Sequence, residues 1–266
     1  MRAFALLARE ALGDAVRRRI AVVVAAASLL SLLMIDSCTA CATGSVLVNG
    51  ELREVAGLAG ATGALTVIVL GLWIVALAGF LASDHLAQSL ADGSALLVLA
   101  RPVGRAPFAL ARLAGALGVA LGAGALLLGA TVALLATRSG ISPWPALAAG
   151  LTFALGATTT GALAMAASLH LPRAACALLA LVAVGAVALA DGLALAGTEP
   201  VGWLGALARL GPAFAAAPAG LLDAWVPGLE LGDPLPALGR AALWAGASLI
   251  LLLAAFARLE LDAGGE

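Results

Sequence analysis

The chain contains no lysine and no tyrosine; all 14 of its basic residues are Arg. Without Lys it has no P-loop of its own, because that motif needs a Lys on the β- and γ-phosphates. Schiff-base chemistry is excluded for the same reason. Charge is scarce, at 11% of residues with a net value of −1, so no bulk attraction draws the chain to nucleic acid. The three cysteines, Cys38, Cys41 and Cys176, are too few for a disulfide framework. Neither the zinc-protease HExxH pattern nor the GxSxG nucleophile elbow occurs. The two histidines, His85 and His170, are both read as solvated residues at helix ends; only Asp84 stands beside one of them.

What the chain has in excess is apolar surface. Hydrophobic residues make up 63% of it, where a soluble domain carries roughly 45–50%. A soluble fold has too little interior for that excess, which must face lipid. The expectation is an all-α, polytopic membrane protein forming a single domain over 1–266. A hydrocarbon core of roughly 30 Å needs about 20 apolar residues at 1.5 Å each. Six segments meet that test: 19–36, 63–83, 108–136, 146–169, 174–197 and 238–257.

Before the first of these, Phe4, Leu7, Ala8, Ala11, Leu12 and Ala15 recur at helical spacing, with Arg9, Glu10, Asp14 and Arg17 between them. This predicts an amphipathic helix over 1–18, lying in the membrane interface or offering its face to a partner. No small-residue cleavage site follows it, so the reading expects no cleavable signal peptide. With the N-terminus inside, ten Arg fall on the inner side and four on the outer. Both termini are therefore expected in the cytoplasm.

Two connections are more than simple loops. Residues 84–107 should form a cytoplasmic link with a short apolar helix stopped at Pro102. Residues 198–237 should lie on the outer side. There Trp203, Phe214 and Trp225 stand among Pro212, Pro218, Pro227, Pro234 and Pro236, a pattern suited to short helices at the interface or dipping into it.

Few side chains are candidates for chemistry. Cys38 and Cys41 share a CxxC spacing just outside the first span, where two thiols could close a disulfide or share a soft metal. They lack the further ligands of a closed zinc site, so no metal is assigned. Cys176 is read as a packed small residue. Asp191 is an acid in an otherwise apolar span. It either faces a cavity or a transport pathway, or marks a span that ends near Ala190 and leaves it wet.

One stretch carries a resemblance. The run from Asp92 through Gly93, Ser94, Ala95, Leu96, Leu97, Val98, Leu99, Ala100, Arg101, Pro102, Val103 and Gly104 to Arg105 resembles the cytoplasmic signature of type-2 ABC transporter permeases. That signature, an acid and Gly leading to a Pro-Val-Ser-Arg block, lies between the second and third spans, as here. The Arg-rich N-terminus is similar to the family's elbow helix. The tight His170-Leu171-Pro172-Arg173 connection and the long outer segment are similar to its later features. The nearest likeness is to the single-domain permeases that include the nitrous-oxide-reductase copper-maturation type. Two positions depart from the pattern: Ser89 and Ala91 stand where the family has a Glu, and Gly104 replaces the Ser.

The resemblance implies a six-span permease subunit of an exporter in a bacterial inner membrane. It implies pairing with a second permease copy and with a separate P-loop ATPase that binds ATP. It also implies that Asp92, Gly93, Arg101, Pro102 and Arg105 couple to the ATPase. No catalytic residue or cofactor is expected in the chain itself. The alternatives are a membrane anchor for an extracytoplasmic metalloenzyme, which would give the Cys38/Cys41 pair a task, and a secondary transporter coupled through Asp191.

Overall fold

A computed structural model of the chain describes residues 9, 10, 13, 46–48, 51–53, 55–93, 95, 98, 100, 104–226 and 232–258. The span expected at 19–36, most of the helix expected over 1–18, Cys38, Cys41, Arg101 and Pro102 lie outside the described residues. Within them the chain is helical apart from one small hairpin. Strands β1 (Val46–Val48) and β2 (Glu51–Arg53) pair antiparallel, Val46 opposite Arg53. Five long helices follow: α1 (Val55–Ala91), α2 (Arg105–Ser139), α3 (Trp144–Ala167), α4 (Arg173–Leu195) and, after a connecting segment, α7 (Pro234–Arg258). The segment between α4 and α7 contains α5 (Trp203–Leu210), α6 (Ala216–Leu221) and a 3-10 turn at Asp223–Trp225. All five long helices are long and apolar enough to cross a bilayer. The protein is a transmembrane helical bundle.

The helix ends follow from local chemistry. Nothing breaks α1 before Gly93, whose φ of +70° is the left-handed conformation that a Cβ disfavours. The Gly93 N–H donates to the Leu90 carbonyl and the Asp92 N–H to the Gln88 carbonyl, closing the last turn. The 37 residues of α1 span about 55 Å, well beyond the roughly 30 Å of hydrocarbon. Consequently Asp84, His85 and Gln88, expected in a link over 84–107, belong to the last turns of α1, and the connection proper is Asp92–Gly104. The helical pattern of Leu77, Leu81, Ala82 and Leu86 continues through that overrun and is buried against the bundle. Pro172 stands just before α4, in the extended conformation that opens a helix.

The core has two lobes. Leu77, Leu81, Leu86, Phe108, Met165 and Phe256 gather where α1, α2, α3 and α7 meet at one end. Val67, Val75, Phe153, Val187, Phe214 and Trp225 gather toward the other. Helices α1 and α3 are central, each burying more than half of its most apolar stretch, whereas α4 and α7 bury less than a third of theirs. Leu178, Leu181 and Val182 on α4, and Leu243 and Ile250 on α7, are therefore exposed and suited to lipid.

Small residues set the spacing between the helices. At Gly71 of α1 an added Cβ would collide with the Phe153 ring, and at Gly79 it would come 2.9 Å from the Ala180 Cβ. Such positions let helix backbones approach where no hydrophobic force favours helix over lipid. The Thr160 hydroxyl donates to the Val75 carbonyl across the α1–α3 contact at 2.8 Å. Thr152 and Thr159 instead return their hydroxyl protons to Ala149 and Leu155 of their own helix.

Candidate functional site

The long helices alternate in direction, which separates the candidate residues into two ends. At the Arg105 end lie the C-termini of α1, α3 and α7 and the N-termini of α2 and α4. Two long-range bonds tie this end. The Arg173 guanidinium pairs with the Asp84 carboxylate at 2.6 Å, joining α4 to α1. Arg105 donates to the Ala257 carbonyl at 3.1 Å, joining the start of α2 to the end of α7. Both contacts face solvent, the Arg173 side chain being 63% exposed. Behind them Phe108 stacks on Phe256 at 6.2 Å, and the buried Arg112 guanidinium lies 5.5 Å over the Phe108 ring.

The connection Asp92–Gly104 lies on this end. Asp92 is exposed and Gly93 is the stop of α1, so the Gly has a backbone duty of its own. Ala95 is wholly buried, and Val98 packs against the same apolar lobe as Phe108 and Phe256. Asp92, Gly93 and Arg105, predicted from sequence as one group, are thus on one end of the bundle. His170 is exposed as expected, but His85 is not: it is 4% exposed, because the overrun of α1 packs into the bundle.

At the opposite end, the segment after α4 folds back into the bundle. Phe214 packs on Gly156 of α3, where an added Cβ would sit 3.2 Å from the ring and 2.9 Å from Val75. Gly156 lies twelve residues past Trp144, about 18 Å along α3. Ala213 adopts a φ of +54° at the bend, a left-handed conformation uncommon outside glycine. Trp225 closes the segment: its indole N–H donates to the Ser142 carbonyl at 2.9 Å. Its backbone carbonyl lies against Gly60, with no room for a Cβ.

Asp191 is the centre of this arrangement. Helix α4 does not end near Ala190 but runs on to Leu195, and Asp191 is 1% exposed. Its Oδ2 accepts the N–H groups of Ala215 at 2.9 Å and Ala216 at 3.1 Å. Those are free donors at the start of α6, which has no side-chain cap of its own. Among the described residues its Oδ1 has no hydrogen-bond partner. Sequence reasoning found the residue but not its partner, because nothing in the Gly-Pro-Ala-Phe-Ala-Ala run says which acid caps it. It also missed Arg240, which donates to the Ala208 carbonyl, and Trp244, whose indole donates to the Leu210 carbonyl.

Cys176 is buried, its thiol 3.7 Å from the Leu171 carbonyl, and serves as a packed residue. Among the described residues no three of His, Cys, Asp and Glu converge as a metal site. The chain matches no family model, no curated protein and no solved structure.

Proposed function

We propose that the chain is the membrane-spanning permease subunit of an ABC exporter, driven by ATP hydrolysed on a separate P-loop ATPase. In this reading the Arg105 end is cytoplasmic, the membrane is a bacterial inner membrane, and two permease copies enclose the path. A sixth span over 19–36 and an elbow helix over 1–18 complete the subunit, and residues 198–237 form the outer re-entrant helices. The observation that carries the reading is the seating of the signature stretch. Asp92–Arg105 connects two adjacent spans, and its Ala95 and Val98 are embedded in the apolar lobe between α1, α2 and α7. A push on that stretch is therefore delivered to packed side chains, as a coupling element requires.

The described bundle supports a path between copies rather than through one. Its buried hydroxyls are engaged with carbonyls, and Asp191 holds the re-entrant segment. That engagement lends nothing to ion coupling through Asp191.

The test is co-expression with an ATPase encoded beside this chain's gene, purification through a tag on this chain, and ATP hydrolysis in lipid. Co-purification is expected, with stimulated hydrolysis lost in the Arg101→Ala/Arg105→Ala double variant while the protein remains in the membrane. Normal coupling in that variant, or no associated ATPase, overturns the proposal.

A further inference from the structure

The membrane boundary at the Trp225 end can be placed from charge spacing. Arg240 on α7 lies eighteen residues before Arg258, and Asp191 on α4 lies eighteen after Arg173. Each separation is about 27 Å along a helix, close to the roughly 30 Å hydrocarbon thickness. Arg240 and Trp244 therefore sit at the level where Arg and Trp meet lipid headgroups. Both hold the C-terminal part of α5 at that level, Arg240 through the Ala208 carbonyl and Trp244 through the Leu210 carbonyl.

Between those two anchors stands Arg209. Its side chain is exposed, and among the described residues it has no hydrogen bond or ion pair. Glu199, on the approach to α5, is exposed and not paired with it. Arg209 opens onto a cavity of about 440 Å³ lined with Pro200, Gly202, Gly205, Ala206 and Leu210. Gly202 turns the chain with a φ of +63°, and a Cβ on Gly205 would collide with the Pro200 carbonyl. Around the rim Val201, Trp203 and Leu210 are 83%, 66% and 73% exposed, an apolar surface that none of the described residues covers.

We propose that this cavity is a phospholipid site: Arg209 binds the phosphodiester of a glycerophospholipid in the adjoining leaflet, the headgroup lies in the cavity, and an acyl chain runs past Leu210 toward the bilayer centre. The guanidinium presents a planar fork that matches phosphate oxygens. It stands at headgroup depth, with the exposed Leu210 beside it on the deeper side of α5. The cavity's volume falls in the usual range of small-ligand sites. The bound lipid seats α5 against the bilayer, and with it the mouth of the re-entrant segment. The site does not depend on the permease reading.

The experiment is native mass spectrometry of the full chain in detergent, titrated with dioleoyl phosphatidylglycerol. The wild type is expected to retain one lipid. Arg209→Ala should need about tenfold more lipid for half occupancy, the loss of a charge-assisted bond. Arg209→Lys should fall between, since it keeps the charge without the fork. Ala206→Trp, which fills the cavity and spares the cation, should also lose the lipid. Each variant is admitted only if it elutes as the wild type does on size exclusion. Unchanged titration in Arg209→Ala, or in Ala206→Trp, overturns the proposal. Displacement of the lipid by excess inorganic phosphate would also overturn it, showing a phosphate site instead.

Discussion

Asp191 offers the sharpest test of how the segment between α4 and α7 is held. Its Oδ2 accepts two backbone N–H groups that open α6. A hydrogen bond to a charged acceptor contributes about 1.5–3 kcal/mol when its partner would otherwise be stranded. Asp191→Ala strands both donors while the segment stays docked, and frees them to water when it opens. Local opening should become easier by roughly 3–6 kcal/mol, or roughly 150- to 25,000-fold. The readout is hydrogen exchange of the peptide over 213–222 in lipid nanodiscs, where the amides of Ala215, Ala216, Ala217, Ala219 and Leu222 are hydrogen-bonded. Asp191→Asn keeps an acceptor but loses the charge, so its exchange should lie between wild type and Asp191→Ala. Peptides from the middle of α3 should not change. Global melting is the wrong measurement, because removing a buried carboxylate with a bare Oδ1 also removes a desolvation cost. Exchange in Asp191→Ala within about threefold of wild type, well short of the change expected from two such bonds, would refute the capping role.

Two further outcomes test the packing and the Arg105 end. Gly71→Ala, which sets a Cβ against the Phe153 ring, should cost about 1–3 kcal/mol through overpacking. Gly122→Ala, with open space at its Cβ, should be neutral or slightly stabilising. Thermal melting of both in detergent checks this, and equal behaviour would show that the α1–α3 approach is not close. Asp84→Asn and Arg173→Gln should leave the melting temperature unmoved, because an ion pair this exposed adds little to stability. A drop as large as that of Gly71→Ala would make the pair a structural clamp.

The spans were legible because apolar length is a one-dimensional property: 63–83, 108–136, 146–169, 174–197 and 238–257 each fall on a helix. Their overruns were not legible. The link over 84–107 was drawn at the first polar residues, Asp84 and His85, but α1 runs on until Gly93 supplies a left-handed stop. Polarity marks where a helix leaves lipid, and backbone chemistry marks where it ends. The hairpin of β1 and β2 was missed although Asn49-Gly50 between the strands is a strong two-residue turn signal; the search for long apolar runs passed over it. The partners of Asp191, Arg240 and Trp244 were out of reach for a different reason. Each is a backbone group, and every residue offers the same N–H and C=O, so identity carries no information about the pairing.

That distinction explains why the two ends of the bundle differ. At the Arg105 end the bonds Asp84 to Arg173 and Arg105 to Ala257 face solvent and can exchange for water at little cost, over the apolar lobe of Phe108, Met165 and Phe256. The opposite end is held by the buried Asp191 cap, by Trp225 on Ser142 and by Phe214 wedged at Gly156. Loosening these exposes donors that only the protein satisfies. The two solvent-facing bonds of the Arg105 end are therefore the contacts that can exchange most readily when a partner pushes there. In the permease reading this assigns the yielding contacts to the side where the ATPase docks. The segment between α4 and α7, bonded to Asp191 and packed at Gly156, would in that reading stay with α3 and α4.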